Sequence, residues 1–186
     1  MALDDILLET EEKMMKTIEV VEREFAAIHT GRASSALVEN IQVEAYGSVM
    51  RLRDIAGITT PESRVIAIQP WDAANVQPIE KAIQKANLGL SPRVDGKLIR
   101  IFLPQLSEER RKELDKIVKR IAEEGRVSIR NERRQGLDQI KKLQKDGKIT
   151  EDELAVAEKE VQKLTDQYIA EIDRSLGAKE KEILTV

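Results

Sequence analysis

The chain contains no cysteine, which excludes disulfides, thiol nucleophiles and thiolate metal ligands. Its one histidine is His29, so neither a His/Cys metal cluster nor a Cys–His dyad can be assembled, and His29 is expected to mark a helix end rather than to act as a base. Aromatic residues are scarce: Phe25, Tyr46, Trp71, Phe102 and Tyr168 are all there are. Single-strand binders need stacking platforms, so any nucleic-acid partner is expected to be met through phosphates and shape. Nothing approaches the roughly 18 consecutive apolar residues of a membrane span. The opening MALDDILLETEEK is acidic within its first five residues, which suits neither a secretory signal nor a transit peptide. Neither GxxxxGK[ST] nor GxGxxG occurs, so no phosphate-cradling loop is evident. The 34 carboxylates are scattered over helix surfaces, and chance proximity among so many assigns no acid pair. The expectation is a soluble cytoplasmic chain, not an enzyme, with no catalytic residue, no metal and no cofactor.

Proline is absent from two long stretches. All five prolines (Pro61, Pro70, Pro78, Pro92, Pro104) fall between residues 61 and 104. Since proline disrupts helix interiors, this distribution separates a mixed middle from two helical flanks. In the first flank Leu7, Met14, Val21 and Ile28 recur every seven residues, joined by Ile18 and Phe25. That is the apolar seam of a bundle helix, predicted to end at Thr30-Gly31. In the second flank Ser107 is a predicted N-cap. Leu114, Ile117, Val118, Ile121, Ile129, Leu137, Ile140 and Leu143 form its stripe. The turn KDGK (145–148) closes that helix, and Thr150 with Glu153 predicts a capping box for a third. There Leu154, Ala157, Val161, Leu164, Tyr168, Ile172 and Leu176 continue steps of three and four, with Gly177 ending or fraying the helix. Gly125 and Gly136 interrupt the second helix at about 1 kcal/mol each relative to alanine. Tight helix packing is their first explanation; close approach of an external surface is the alternative.

The middle changes period. IQVEAY (41–46), Gly47-Ser48 and VMRLR (49–53) read as a hairpin, and RVIAIQ (64–69) as a strand. Asp72 is placed to cap a helix holding Val76, Ile79, Ile83 and Ala86. RVDGKLIRI (93–101) sets an Asp-Gly turn between two strands. The fold class is α+β. Residues 1–29 and 106–186 form an antiparallel three-helix bundle, and residues 30–105 form an inserted small β/α/β domain that includes the crossings. Thr30, Gly31 and Arg32 on one crossing, with Pro104 and Gln105 on the other, make a two-stranded hinge.

Charge is unevenly placed. Residues 1–29 carry three bases and eight acids, net −5; residues 107–146 carry thirteen and nine, net +4; residues 147–186 carry six and ten, net −4. The second helix is the basic element of an acidic bundle. Helical steps link Lys112, Lys116, Lys119, Glu123, Arg126, Arg130 and Arg133 on one face, widened by Arg134. Arg133 lies four residues from both Ile129 and Leu137, a position from which an arginine can bury its stem and turn its head outward. Two readings stay open at this level: internal pairing with the acidic neighbour helices, or spare guanidinium forks suited to phosphate.

At this point the residues resemble one family throughout the chain, the ribosome recycling factors. HTGRAS (29–34) resembles the family's RTGRAS. DGKLIRI (95–101), LSEERRKEL (106–114), RVSIRNERR (126–134), DGKITEDEL (146–154) and VQKLTD (161–166) follow in the family's order. The resemblance implies an L-shaped protein, a long bundle hinged to a small β/α/β domain. It implies action after termination. With elongation factor G, and GTP hydrolysed by that partner, the ribosome is split into subunits and mRNA and tRNA are freed. It further implies that a monomer docks on large-subunit ribosomal RNA through its second helix, with Arg110, Arg130 and Arg133 foremost and Arg126 and Arg134 beside them. The chain departs from the pattern at His29, where the family usually has arginine, and around the last arginines, where Glu132 precedes and Gln135 follows. Glu132 is expected to pair with a neighbouring arginine and weaken the local field. The competing class is a cytosolic helical scaffold that binds a partner helix.

Overall fold

The computed structural model describes residues 2–185; Met1 and Val186, the outermost residues of the expected bundle domain, lie outside them. In chain order the elements are α1 (Leu3–Ala26), β1 (Gln42–Ala45), β2 (Ser48–Arg51), β3 (Ala56–Glu62), β4 (Val65–Pro70), α2 (Val76–Lys85), β5 (Pro92–Asp95), β6 (Leu98–Phe102), α3 (Glu108–Lys145) and α4 (Glu151–Thr185). Two compact units result, one from the chain up to His29 together with Glu108–Thr185, the other from Thr30–Ser107.

The first unit is three helices packed pairwise. Met14, Val21 and Phe25 of α1 are buried, while Leu7 and Ile18 of the predicted seam are only half-buried. The seam also takes in Ile6 and Thr10, whose hydroxyl is satisfied by donating to the Ile6 carbonyl at 2.8 Å. Facing them are Leu114, Val118, Ile121, Ile129, Ile140 and Leu143 of α3, and Ala157, Val161, Tyr168 and Ile172 of α4. The Tyr168 hydroxyl donates to Glu11 Oε1 at 2.9 Å. Burial, then the Glu11 carboxylate, pushes the phenol up to about 12, so the tie between α4 and α1 survives through neutral pH.

The predicted end of α1 is corrected. The helix stops at Ala26, where Ala27 N–H bonds the Arg23 carbonyl and Ile28 N–H bonds the Phe25 carbonyl in a tightened last turn. His29 therefore lies beyond the helix, exposed. The α3–α4 turn is a Schellman closure: Lys148 N–H reaches the Leu143 carbonyl, Gly147 N–H reaches that of Gln144, and Gly147 takes φ +73°, the left-handed geometry glycine supplies. Thr150 caps α4 by accepting from Glu153 N–H at 3.1 Å, and its hydroxyl donates to the Glu153 carboxylate. Gly177 does not end α4, which runs on to Thr185.

The second unit holds an antiparallel sheet ordered β3-β4-β6-β5, a separate β1-β2 hairpin, and α2. Its core gathers Val43, Leu52, Ile66, Ile68, Ile79, Ile83, Ile99 and Ile101. β4, the RVIAIQ strand, is buried at four successive positions, as a central strand should be. Two turns sit one residue from their expected places. Ala45 pairs with Ser48, so the first hairpin turns at Tyr46-Gly47, both at positive φ as a type I′ turn requires. Asp95 pairs with Leu98, so the second turns at Gly96-Lys97. The Asp72 carboxylate accepts from Ala74 N–H at 3.0 Å, opening a 3-10 turn that feeds α2.

Candidate nucleic-acid interface

α3 runs 38 residues, and its length is what sets the arginines out along the first unit. Each has a different setting. Arg110, in the first turn, is exposed and its Nη1 donates to Glu113 at 2.9 Å. Arg126 retains only 20% of its side-chain exposure. Its Nε and Nη2 both donate to Asp173 Oδ1 on α4, at 2.9 and 2.6 Å, while Nη1 reaches Glu123 at 3.0 Å. Arg130 is 46% exposed and shares Glu123, at 3.3 Å. Those two guanidiniums hold the Glu123 carboxyl below its usual range, the bond from Arg126 being the largest cause.

Arg133 differs in kind. Its Nε is buried without a hydrogen-bond partner, so the stem enters the bundle as its seam-edge position predicts. Its Nη1 donates to Gln162 Oε1 of α4 at 2.9 Å, a neutral acceptor. Arg134 is exposed and makes no hydrogen bond or ion pair among the described residues. Internal compensation thus accounts for Arg126 and, through a shared and exposed carboxylate, for much of Arg130. It does not account for Arg133 or Arg134. What is brought together is a graded row: a guanidinium locked to α4, one loosely held, one held but not neutralised, one open.

Among the described residues Glu132 pairs with no arginine, contrary to expectation. Its Oε1 accepts the Thr17 hydroxyl of α1 at 2.6 Å, and its Oε2 is buried without a partner. The carboxylate faces the groove between α1 and α3, away from the arginine row, and burial raises its pKa against the opposing pull of Thr17 and Lys13. No sequence pattern points to Asp173 or Gln162 as arginine partners, since both lie on another helix, 47 and 29 residues away.

The expected hinge residues belong to the second unit. Thr30 is buried, and Arg32, Pro104 and Gln105 are exposed. Gly31 has φ +78°, and a Cβ built there would sit 3.1 Å from Leu106 Cγ, so the two crossing segments lie side by side. Each is pinned just inside the unit, Ala33 N–H to the Ser63 carbonyl at 2.7 Å and Leu103 N–H to that of Arg64 at 2.8 Å. Among the described residues no group of three or more His, Cys, Asp or Glu is placed to hold a metal ion, and no helix is long and apolar enough to cross a membrane.

Comparison with known proteins extends this picture over the whole chain. The family described as Ribosome recycling factor matches residues 21–184. A ribosome-recycling factor of Nitratidesulfovibrio vulgaris is 49% identical over 186 residues, covering 100% of both chains. That of Treponema denticola is 52% identical over 182 residues, 98% of each. Among solved structures, the solution structure of a ribosome recycling factor aligns with TM-score 0.73 at 46% identity, covering 100% of this chain and 99% of the other. A chain from models for the T. thermophilus ribosome recycling factor and the E. coli elongation factor G, bound to the E. coli post-termination complex, aligns with TM-score 0.64 at 46% identity, covering 99% and 100%.

Proposed function

The chain belongs to the ribosome recycling factor family, and from that premise we propose that it is a cytoplasmic, monomeric translation factor acting on ribosomes that have finished a message. With elongation factor G it disassembles the post-termination complex into subunits, releasing mRNA and tRNA. The partner hydrolyses the GTP; this chain contributes binding and mechanical coupling and performs no bond chemistry.

The bundle anchors on large-subunit ribosomal RNA. Arg110, Arg130, Arg133 and Arg134 are assigned to phosphates, and Arg126 to holding α3 against α4 beneath them. The observation that carries this assignment is the pair Arg133 and Arg134, adjacent arginines that no carboxylate among the described residues neutralises. Arginine's rigid donor fork suits phosphate oxygens, and an exposed pair such as Arg130–Glu123, worth at most about 1 kcal/mol, is readily exchanged for a phosphate contact. Thr30, Gly31, Arg32, Pro104 and Gln105 form the hinge on which the small domain moves when the translocase pushes.

The test is co-sedimentation with purified bacterial large subunits across a salt series, followed by subunit splitting with elongation factor G and GTP. Several phosphate contacts demand a steep loss of affinity with salt, and Arg133→Ala is expected to weaken binding far more than it lowers the unfolding midpoint. No binding by the parent protein even at low salt would refute the reading.

A further inference from the structure

A guanidinium that is to meet phosphate faces two opposing demands. It must be held in one orientation, because a free arginine loses rotamer entropy on binding. It must also keep its charge, because a carboxylate that holds it competes with the phosphate. Arg126 shows the second demand failing: Asp173 and Glu123 take all three of its nitrogens. Arg133 shows both being met. Its stem is buried to Nε, and its Nη1 is fixed by the side-chain oxygen of Gln162. The amide is itself fixed, since Gln162 Nε2 donates to Asp166 Oδ1 at 2.9 Å one turn further along α4. The order guanidinium, amide oxygen, amide nitrogen, carboxylate admits only one amide orientation. Flipping it would set N–H against N–H at Arg133 and oxygen against oxygen at Asp166.

We infer that Gln162, on α4, is a positioning residue for the ribosome-binding Arg133: an amide clamp, oriented by Asp166, that aims the guanidinium without neutralising it. The inference rests on the proposed role of Arg133 and deepens it. Nη2 of Arg133 has no hydrogen-bond partner among the described residues, which leaves it to a phosphate oxygen. The carboxylate of Asp166 acts through one intervening amide, so its charge orients the clamp while staying out of direct contact with the guanidinium.

Two substitutions separate aiming from charge. Gln162→Glu keeps an acceptor oxygen but places a carboxylate on Arg133. The new carboxylate also meets Asp166 where the amide N–H had donated, a repulsion that its ion pair with Arg133 only partly offsets. The unfolding midpoint is therefore expected to fall slightly, while large-subunit binding weakens about tenfold and the salt slope falls by about one counterion. Gln162→Met keeps the side-chain length and Arg133's charge but removes the acceptor. It is expected to weaken binding severalfold while retaining the parent slope. A purely structural role for Gln162 would move the unfolding midpoint and leave the salt slope alone. Parent, both variants and Arg133→Ala are measured together on purified large subunits. If Arg133→Ala weakens binding while Gln162→Glu binds with parental affinity and slope, the clamp is refuted and the role of Arg133 stands. If the parent itself does not bind, the functional reading fails and the clamp falls with it.

Discussion

A Cβ built on Gly136 would lie 2.6 Å from Thr10 Oγ1 and 3.2 Å from its Cγ2. That threonine is buried against α3 with its hydroxyl committed to Ile6, so it has nowhere to retreat. Gly136→Ala therefore gains about 1 kcal/mol of helix propensity and loses about 1–3 kcal/mol to overpacking. The expected outcome is net destabilisation, seen as a lower denaturant midpoint. Thr10→Ala removes both close atoms, leaving only a Cβ at 3.5 Å. The double variant should accordingly be more stable than additivity predicts; strict additivity would show that the close approach is not the cause. Glu132 gives a second prediction at this scale. Burial raises its folded pKa, so the folded state holds the proton more tightly than the unfolded chain does. Stability is then lost as pH rises from the ordinary glutamate value through the raised one, and the loss persists at neutrality. Glu132→Gln keeps an oxygen for the Thr17 hydroxyl and cannot ionise. Thermal melts should find it more stable than the parent at pH 7, with the difference closing as pH falls below the ordinary glutamate range. A difference constant with pH would remove ionisation as the cause.

Among the elements, α3 carries the proposed interface, and its arginines divide between holding the fold and offering charge. Arg126→Ala breaks the tie to Asp173, leaving that exposed carboxylate to water, and should lower stability by about 1 kcal/mol. Arg134→Ala removes an exposed side chain without a hydrogen bond or ion pair among the described residues and should leave stability within about 0.5 kcal/mol while reducing large-subunit affinity and its salt slope. Chemical unfolding and salt-series co-sedimentation on both variants check the division; equal effects of the two in both assays would abolish it. Such a division could not be read from RVSIRNERRQ alone, because Arg126 and Arg133 are distinguished by what α4 sets opposite them. The helices themselves were legible, since seams repeating at three and four residues have one economical packing. The seam's period overextends α1 because Ile28 keeps it after the backbone has turned out of the helix. β3 is not legible in the sequence because AGITTPE mixes glycine and proline into a segment without alternation, and its pairing with β4 is a tertiary fact. The turn at Tyr46-Gly47 was displaced by one residue because the I′ geometry falls on a tyrosine held at φ +52°. Its hydroxyl, bonded to Asp72 and Asn75, ties that turn to the start of α2.

For the molecule as a whole, the two units have separate cores. Ile6, Ile140, Leu143, Ala157 and Val161 cluster in the bundle, while Val43, Leu52, Ile66, Ile99 and their neighbours cluster in the inserted unit. The bundle is built from two stretches of chain that the insertion keeps apart in sequence. Where the chain leaves and returns, Gly31 and Leu106 are in van der Waals reach, so a loop of a few residues can close the gap at little entropic cost, growing only as the logarithm of length. Replacing residues 33–104 by a short Gly/Ser loop should therefore leave a cooperatively unfolding helical protein, because no core residue of the bundle is removed. Its arginine row on α3 is intact, so it should bind large subunits with a salt slope close to that of the full chain. It has lost the domain on which the translocase is proposed to push, so it should not split post-termination complexes with elongation factor G and GTP, and in excess it should compete with the intact chain for them. Circular dichroism melts, co-sedimentation and the splitting reaction measure the three properties separately. A folded, binding bundle that still split ribosomes would place the working stroke in the helices and leave the hinge without a task.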